Sequence, residues 1–329
     1  MIGLRQYLEQ NNETKMIIFA GKGGLGKTTC SAALAYHLAV NEGKRCLCFS
    51  TDPQASLSDI FERDIFGKGE IEVAPNLYVV EIDADKRIRE YIEDVKRKIR
   101  EMYKMEEIPP EIESYIETSA VEPAMYESAT YDAMAEYLAE GKYDYYIFDM
   151  PPFGHGVRMI AMAEILSMWV DRITDARKKA KEYDEIAATL RGQRVLSEDK
   201  VLEELYDIQR KLGFFKDVML DRRKTAFFMV MTPEKMSILD TERALDMFKE
   251  LGLTLSGIVV NQVLPSSLAN NSSKLLAHRV EMQQRYLDEI RRKFGGKVVS
   301  VIPMFDREPK GLGMLGEVAK YLVNPPTAV

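Results

Sequence analysis

The chain has 329 residues, 46% of them hydrophobic and 29% charged, which suits one large α/β domain or two ordinary ones. Its formal charge is −7, from 45 Lys plus Arg against 52 Asp plus Glu, and this excludes a general nucleic-acid binder, because nothing draws such a chain non-specifically to phosphate. Three cysteines cannot build a disulfide framework, no apolar stretch reaches the ~18 residues of a membrane span, and Met1–Lys15 has no signal-peptide core, so a reducing, cytoplasmic setting is expected.

In chain order, short β-branched or aromatic runs fall at Met16–Ala20, Arg45–Ser50, Leu77–Ile82, Tyr145–Met150, Ala226–Met231, Ser256–Asn261 and Val298–Ile302, with helical stretches between them. Such alternation predicts βαβ units and a doubly wound, mostly parallel α/β sheet. Two intervals are long and helical in period. Ile88, Ile92, Val95, Ile99 and Met102 recur at three- and four-residue steps, as do Val201, Leu202, Leu205, Ile208 and Leu212. The expected division is therefore a nucleotide-binding α/β domain over 1–82, 143–158 and 224–323, a helical subdomain inserted over 83–142 and 159–223, and a flexible tail over 324–329.

The first run leads into Gly21-Lys22-Gly23-Gly24-Leu25-Gly26-Lys27-Thr28-Thr29, and Ser31–Val40 has a helical pattern. Strand, glycine-rich loop and helix are the context of a phosphate-binding loop. The glycines let backbone N–H groups turn toward phosphate oxygens, and the helix N-terminus adds partial positive charge. Lys27 is placed to reach the outer phosphates of ATP and Thr28 to put its hydroxyl on Mg²⁺. Lys22, directly after the first glycine, marks the deviant form of this loop.

The second run ends in Ser50-Thr51-Asp52, and a carboxylate at the end of a parallel strand points into the ligand crevice. Asp52 is read as the group that orients the attacking water. Asp59 either belongs to the same switch or, with Ser58, caps a helix at Ile60–Phe61. Asp149 ends the fourth run in a Walker B pattern and is expected to hold Mg²⁺ through water. The segment that follows contains Gly154, His155 and Arg158. Gly154 would let a backbone N–H approach the γ-phosphate, and His155 and Arg158 either sense nucleotide or pack. His37 is read as structural and His278 has no assigned role. The apolar stretch after Arg158, with Met159, Ile160, Met162, Ile165, Leu166, Met168, Trp169 and Val170, is either helix core or a flexible surface for an apolar client. Phe214, Phe215, Val218, Met219, Leu220, Met125 and Met134 invite the same two readings. The charged stretch Arg172–Lys200 is expected to face solvent or to be disordered without a client.

Taken together, GKGGLGKTT, STDPxxSLSD and FDxxPxGHxxR resemble the ArsA/Get family of ATPases, most closely the archaeal-type targeting factor for tail-anchored membrane proteins. Pro233–Ile238, Thr241-Glu242-Arg243, Val259–Gln262 and Ile302–Glu308 are similar to its C-terminal signatures, so the resemblance spans nearly the whole chain. It implies a P-loop NTPase fold of the SIMIBI type and an Mg²⁺-dependent homodimer formed around ATP. Lys22 would act on the partner's phosphates, Asn261 would read the adenine edge and Pro303 would line the base. A helical subdomain would shield a membrane-protein segment, and larger oligomers could form around a client. Two departures stand out. Ser273-Lys274-Leu275-Leu276 lies where many targeting members carry a CxxC zinc clasp, so zinc is not expected. Cys30, Cys46 and Cys48 look like core residues, which weakens the alternative of an arsenite or anion pump subunit. So does the single phosphate loop, since such pumps are often two fused halves. A second alternative, a positioning or assembly ATPase, calls for a basic amphipathic terminal helix or cluster-binding cysteines. Leu315–Val323 is only weakly amphipathic.

Overall fold

The computed structural model describes residues 2–51, 55–120, 123–150, 153–191, 199–271 and 273–325. The chain opens with α1 (Gly3–Gln10), β1 (Met16–Ala20), α2 (Lys27–Tyr36), β2 (Cys46–Ser50), α3 (Ser56–Phe61), β3 (Ile71–Ala74) and β4 (Leu77–Glu81). Then come α4 (Ala84–Tyr103), α5 (Pro110–Ala120), α6 (Pro123–Glu140), β5 (Tyr145–Asp149), α7 (Phe153–Leu190) and α8 (Lys200–Leu220). The last part holds β6 (Thr225–Met231), α9 (Lys235–Glu250), β7 (Leu255–Val263), α10 (Leu268–Asn271), α11 (Lys274–Phe294), β8 (Val298–Pro303) and α12 (Gly311–Val323).

All eight strands join one sheet in the order β3-β4-β2-β5-β1-β6-β7-β8. Every neighbouring pair is parallel except β3–β4, as befits a doubly wound fold. β1, β2 and β6 are buried at every position, which explains their unbroken apolar runs. Two elements escape the sequence reading. β3 has only four residues, one of them Glu72, and joins β4 through Pro75 and Asn76, the latter in the left-handed region at φ 63°. α1 turns Leu4, Tyr7 and Leu8 toward the core, with the Tyr7 ring edge-on to Phe228 at 5.1 Å, and packs on α12.

The chain divides into two compact units, one of 1–83, 140–157 and 220–329 and the other of 84–139 and 158–219. The first holds the whole sheet. Its core gathers Phe19, Phe49, Phe148, Phe227 and Phe228, and α12 covers it by packing against α2 and β8. Leu315, Val318, Leu322 and Val323 of α12 are buried, so its apolar face belongs to this core. Residues 326–329 of the expected tail lie outside the described residues.

The second unit is helical. Asp199 starts α8 by accepting from the N–H groups of Val201 and Leu202 (3.1 and 3.2 Å), and Arg177 of α7 donates to it at 2.9 Å. Lys96 of α4 is buried and bridges Glu113 and Glu117 of α5 (2.8 Å each). Of the two expectations for the charged stretch, the solvent-facing one holds for 172–190, which continue α7 as regular helix with mostly exposed residues, while residues 192–198 lie outside the described residues. Among the described residues no helix is long and apolar enough to cross a membrane.

Candidate functional site: the strand ends around the glycine loop

β1 lies between β5 and β6, so the loop it feeds emerges at the middle of the sheet. Two glycines are required there. A Cβ on Gly21 would sit 2.6 Å from the carbonyl oxygen of Val230, and Gly26 (φ 89°) is left-handed, where a Cβ would run into Asn261 Nδ2. Gly26 is the N-cap of α2, and Gly23 and Gly24 are exposed between these two fixed points. Lys27, the first residue of α2, is buried, and its Nζ donates to Lys22 O at 3.3 Å. The loop is thus folded back over its own lysine.

Thr28 Oγ1 donates to Asp149 Oδ2 at 2.7 Å, and Ser50 Oγ approaches the same oxygen at 3.4 Å. The register explains the meeting, since Asp149 of β5 pairs with Phe19 of β1 on one side and with Ser50 of β2 on the other. The sheet therefore brings Asp149 to Thr28, the residue after Lys27 in α2. Thr29 is half-buried beside them in α2.

On the other side, Asn261 is buried at the end of β7 and donates to Leu25 O at 2.8 Å. Gln262, left-handed at φ 58°, donates to Gly24 O at 3.3 Å. Two side chains of β7 thus tie down the carbonyls of the glycine loop, a role not foreseen for either. Pro303 pairs with Val263 at the ends of β8 and β7, which sets it on the same edge as Asn261. Gln283 of α11 holds the loop after β7 through both its amide atoms, to Leu264 N and O (2.8 and 3.1 Å).

Lys22 points away from this cluster. Its Nζ lies 3.3 Å from Asp240 Oδ2 in α9, and Arg243 faces the other oxygen of Asp240 at 3.8 Å. These three residues rim a cavity of about 240 Å³ whose wall includes Leu25, Met229, Val230 and Met247.

Of the expected switches, Asp52 lies outside the described residues. Asp59 is exposed in the first turn of α3, whose N-cap is Ala55 with no side-chain cap. The carboxylate that does satisfy this turn is Glu81, at the end of β4, which accepts from Leu57 N, Ser58 N and Ser58 Oγ. The signal was available, because Glu81 closes an apolar run just as Asp149 does. Gly154, His155, Arg158, Met159 and Met162 fall in the first turns of α7, where backbone alone is described. Further along this helix Ile165, Met168 and Trp169 are exposed (45, 51 and 64%), with Leu166 half-buried. Ile173, Ile186 and Leu190 are also exposed on α7 and were missed. By contrast Met134, Phe215 and Met219 are buried, which removes them as a client surface, whereas Phe214 and Leu220 are exposed.

The donor set fits ATP and a hard cation. A cradle that admits no Cβ at Gly21, a buried lysine, a helix N-terminus and a hydroxyl paired with a carboxylate together supply phosphate donors and oxygen ligands. Ser273, in the stretch expected to replace a zinc clasp, is the N-cap of α11 and accepts from Leu276 N. The cysteines lie fully buried in the core. Burial, with the Asp149 carboxylate adding to it, pushes the Cys30 thiol up to about 12, and burial raises Cys46 and Cys48 too.

The chain is similar to known ATPases over nearly its whole length. The chain is 31% identical over 310 residues to arsenical pump-driving ATPase 2 of Aquifex aeolicus, covering 94% of this chain and 99% of that one. It is 28% identical to ATPase ASNA1 homolog 1 of Paramecium tetraurelia, over 98% of this chain and 96% of the relative. It is 27% identical to ATPase GET3 of Komagataella phaffii, over 96% and 92%. Because this chain covers 99% of a relative whose name refers to an arsenical pump, a single phosphate loop does not by itself count against the anion-pump alternative. The family model described as anion-transporting ATPase matches residues 14–324, from β1 through α12, and this chain, an ATP hydrolase, belongs to that family.

Proposed function

We propose that this ATPase dimerises around ATP and uses hydrolysis to bind and release the apolar transmembrane segment of tail-anchored membrane proteins. The observation that carries the reading is α7. It is one unbroken helix that starts four residues after Asp149 and then exposes Ile165, Met168, Trp169 and Ile173 at three- and four-residue steps. From Ile165 to Leu190 it extends about 38 Å at ~1.5 Å per residue, enough to lie along a segment that spans a ~30 Å hydrocarbon core. The relative named ATPase GET3 supports an ATPase of this class.

In this reading Lys27 and the loop N–H groups hold the β- and γ-phosphates, and Lys22 leaves Asp240 to reach the nucleotide of the partner subunit. Thr28 and Asp149 hold Mg²⁺, Asp149 through water, and the cation offsets charge on the phosphates. Asp52 orients the attacking water. Asn261 and Pro303 present the adenine site. Gly154, His155 and Arg158 pass the state of the γ-phosphate to α7, while Asp59 belongs to the first switch. Met159, Met162, Ile165, Leu166, Met168 and Trp169 face the client. A cytoplasmic location follows from this task.

The anion-pump alternative draws on the relative named arsenical pump-driving ATPase 2. Arsenite seeks thiolates, and the three thiols here are buried and held protonated, which disfavours that reading. The positioning alternative needs a free amphipathic terminal helix, and the apolar face of α12 is already in the core.

Co-expression with a model tail-anchored protein tests the proposal, with Asp52→Asn run beside the native chain to slow hydrolysis. A complex that needs the client's apolar helix and accumulates in the variant is the expected result. Dimerisation and hydrolysis without capture would end the client reading and leave the ATPase intact.

A further inference from the structure

Gln262 has no part in the scheme above. We infer that it is a positioning residue for nucleotide binding. Its hold on the Gly24 carbonyl, beside that of Asn261 on the Leu25 carbonyl, aims the N–H groups of Leu25 and Gly26 at the β-phosphate. The inference rests on the reading that this loop binds the phosphates of ATP.

Three observations single out Gln262. It is the one exposed residue of β7, whose other positions are buried or half-buried. Its backbone is left-handed at φ 58°, a conformation that strains glutamine. An extra residue also enters β7 here. From Val260 to Val263 this strand advances three residues, while β8 advances two, from Val301 to Pro303. Insertions of this kind bend a strand and re-aim a side chain.

The strained residue is held from both sides. Asn261 before it is buried, and Val263 after it accepts from Met304 N at 2.8 Å. Gln283 then fixes Leu264 through both backbone atoms. Strain persists only where the surroundings over-determine it, and such places cluster at functional sites. What the distortion gives Gln262 is reach across to the glycine loop, where Nε2 donates to Gly24 O at 3.3 Å.

The consequence for phosphate comes from the planarity of the peptide bond. In a trans peptide the C=O and the N–H point in opposite directions. Gly24 O and Leu25 N belong to one peptide, and Leu25 O and Gly26 N to the next. With both carbonyls tied to β7, both N–H groups turn away from it. Successive N–H groups turned one way make a nest for an anion. Among the described residues no atom lies within 4 Å of a Cβ placed on Gly24, so packing does not fix this peptide and the tie from Gln262 does. A loop already ordered loses less entropy when nucleotide arrives.

The test uses ADP, which carries the β-phosphate and is not turned over. It is titrated into the full-length protein with Mg²⁺, and melting is followed without nucleotide. Gln262→Gly removes the donor and relieves the left-handed strain, whereas Gln262→Met removes the donor and keeps the length and the strain. Both should raise the ADP Kd by about 3- to 10-fold, the worth of one hydrogen bond. Gln262→Gly should nonetheless melt no lower than the native chain, the opposite of what a purely structural side chain would show. Native ADP affinity in either variant would overturn the inference, and so would a Gln262→Gly protein that melts below the native one. Lys27→Ala separates this from the reading beneath it. Weak ADP binding in Lys27→Ala beside native affinity in the Gln262 variants would remove Gln262 alone. Native ADP affinity in Lys27→Ala would remove the phosphate reading of the loop and this inference with it.

Discussion

The strand ends of the sheet unit and the exposed face of α7 are opposite kinds of surface. At the strand ends the candidate groups are polar and paired: Lys27 to Lys22 O, Thr28 to Asp149, Asn261 to Leu25 O, Glu81 to the start of α3. On α7 they are apolar and exposed, with Ile165, Met168, Trp169 and Leu190 open along one helix. The first surface is built to hold a fixed charge pattern, which phosphoryl transfer requires. The second is built to tolerate variety, since apolar contact imposes little geometry and methionine adapts its shape. Fixed polar geometry leaves motifs in a sequence, whereas an adaptable apolar face leaves only composition.

The largest effect should come from the polar side. Lys27→Ala removes a buried cation from the centre of the cradle, and turnover should fall by about 10³-fold, the scale of losing a fixed donor to a charge-bearing oxygen. The same variant should leave the melting of the helical unit unchanged. Phosphate release at saturating ATP measures the first effect. Turnover within about tenfold of wild type would mean that the loop acts through its backbone alone and that Lys27 belongs to the fold.

The two regions also differ in how far the sequence revealed them. Seven strands were legible because a strand buried on both faces is apolar throughout, as Met16–Ala20 and Thr225–Met231 are. β3 was not, because Ile71, Glu72, Val73 and Ala74 alternate too briefly to register a period. Thr28 and Asp149 were legible as neighbours, since the strand order sets the end of β5 beside the start of α2. Glu81 was overlooked although it ends an apolar run like theirs, because no neighbouring glycine or serine motif drew attention to it. In the helical unit the sequence told less. Phe214 and Phe215 are adjacent and alike, yet one is exposed and the other buried. Helical period locates a stripe without saying what covers it. The charged run after Trp169 suggested a solvent-facing or disordered segment, and as far as Leu190 it is an exposed helix that also carries Ile173 and Ile186.

An intermediate effect sharpens the comparison from the apolar side. Trp169→Ala removes a large exposed side chain that the proposed client would cover. At ~1.5–3 kcal/mol for burying such a group, capture of a model single-span segment should weaken by about 10- to 100-fold. ATP turnover without client should remain at the wild-type level. A drop in basal turnover would break the division of labour, because it would place Trp169 within the machinery of hydrolysis. Unchanged capture would move the client surface to another face.

The smallest effect at neutral pH concerns the cysteines, and it decides between the client and the anion readings. Cys30, Cys46 and Cys48 have no exposed surface, so arsenite should leave turnover unchanged and alkylating reagents should react only on unfolding. The same burial has a consequence in alkali. In the unfolded chain a thiol loses its proton near its ordinary value of 9.0, whereas folding holds Cys30 protonated up to about 12. A raised folded value means that its stabilising contribution is complete below 9.0 and is lost as pH climbs toward about 12. Each such thiol steepens the alkaline loss of stability by about 1.4 kcal/mol per pH unit. Cys30→Ala should therefore flatten denaturation curves collected between pH 9 and 11 while leaving ATP turnover at pH 7 unchanged. Arsenite stimulation of the native protein, abolished by any of the three Cys→Ala changes, would show that these thiols open to solvent during the cycle. The polar and apolar surfaces would then have to be joined by a third, reactive one.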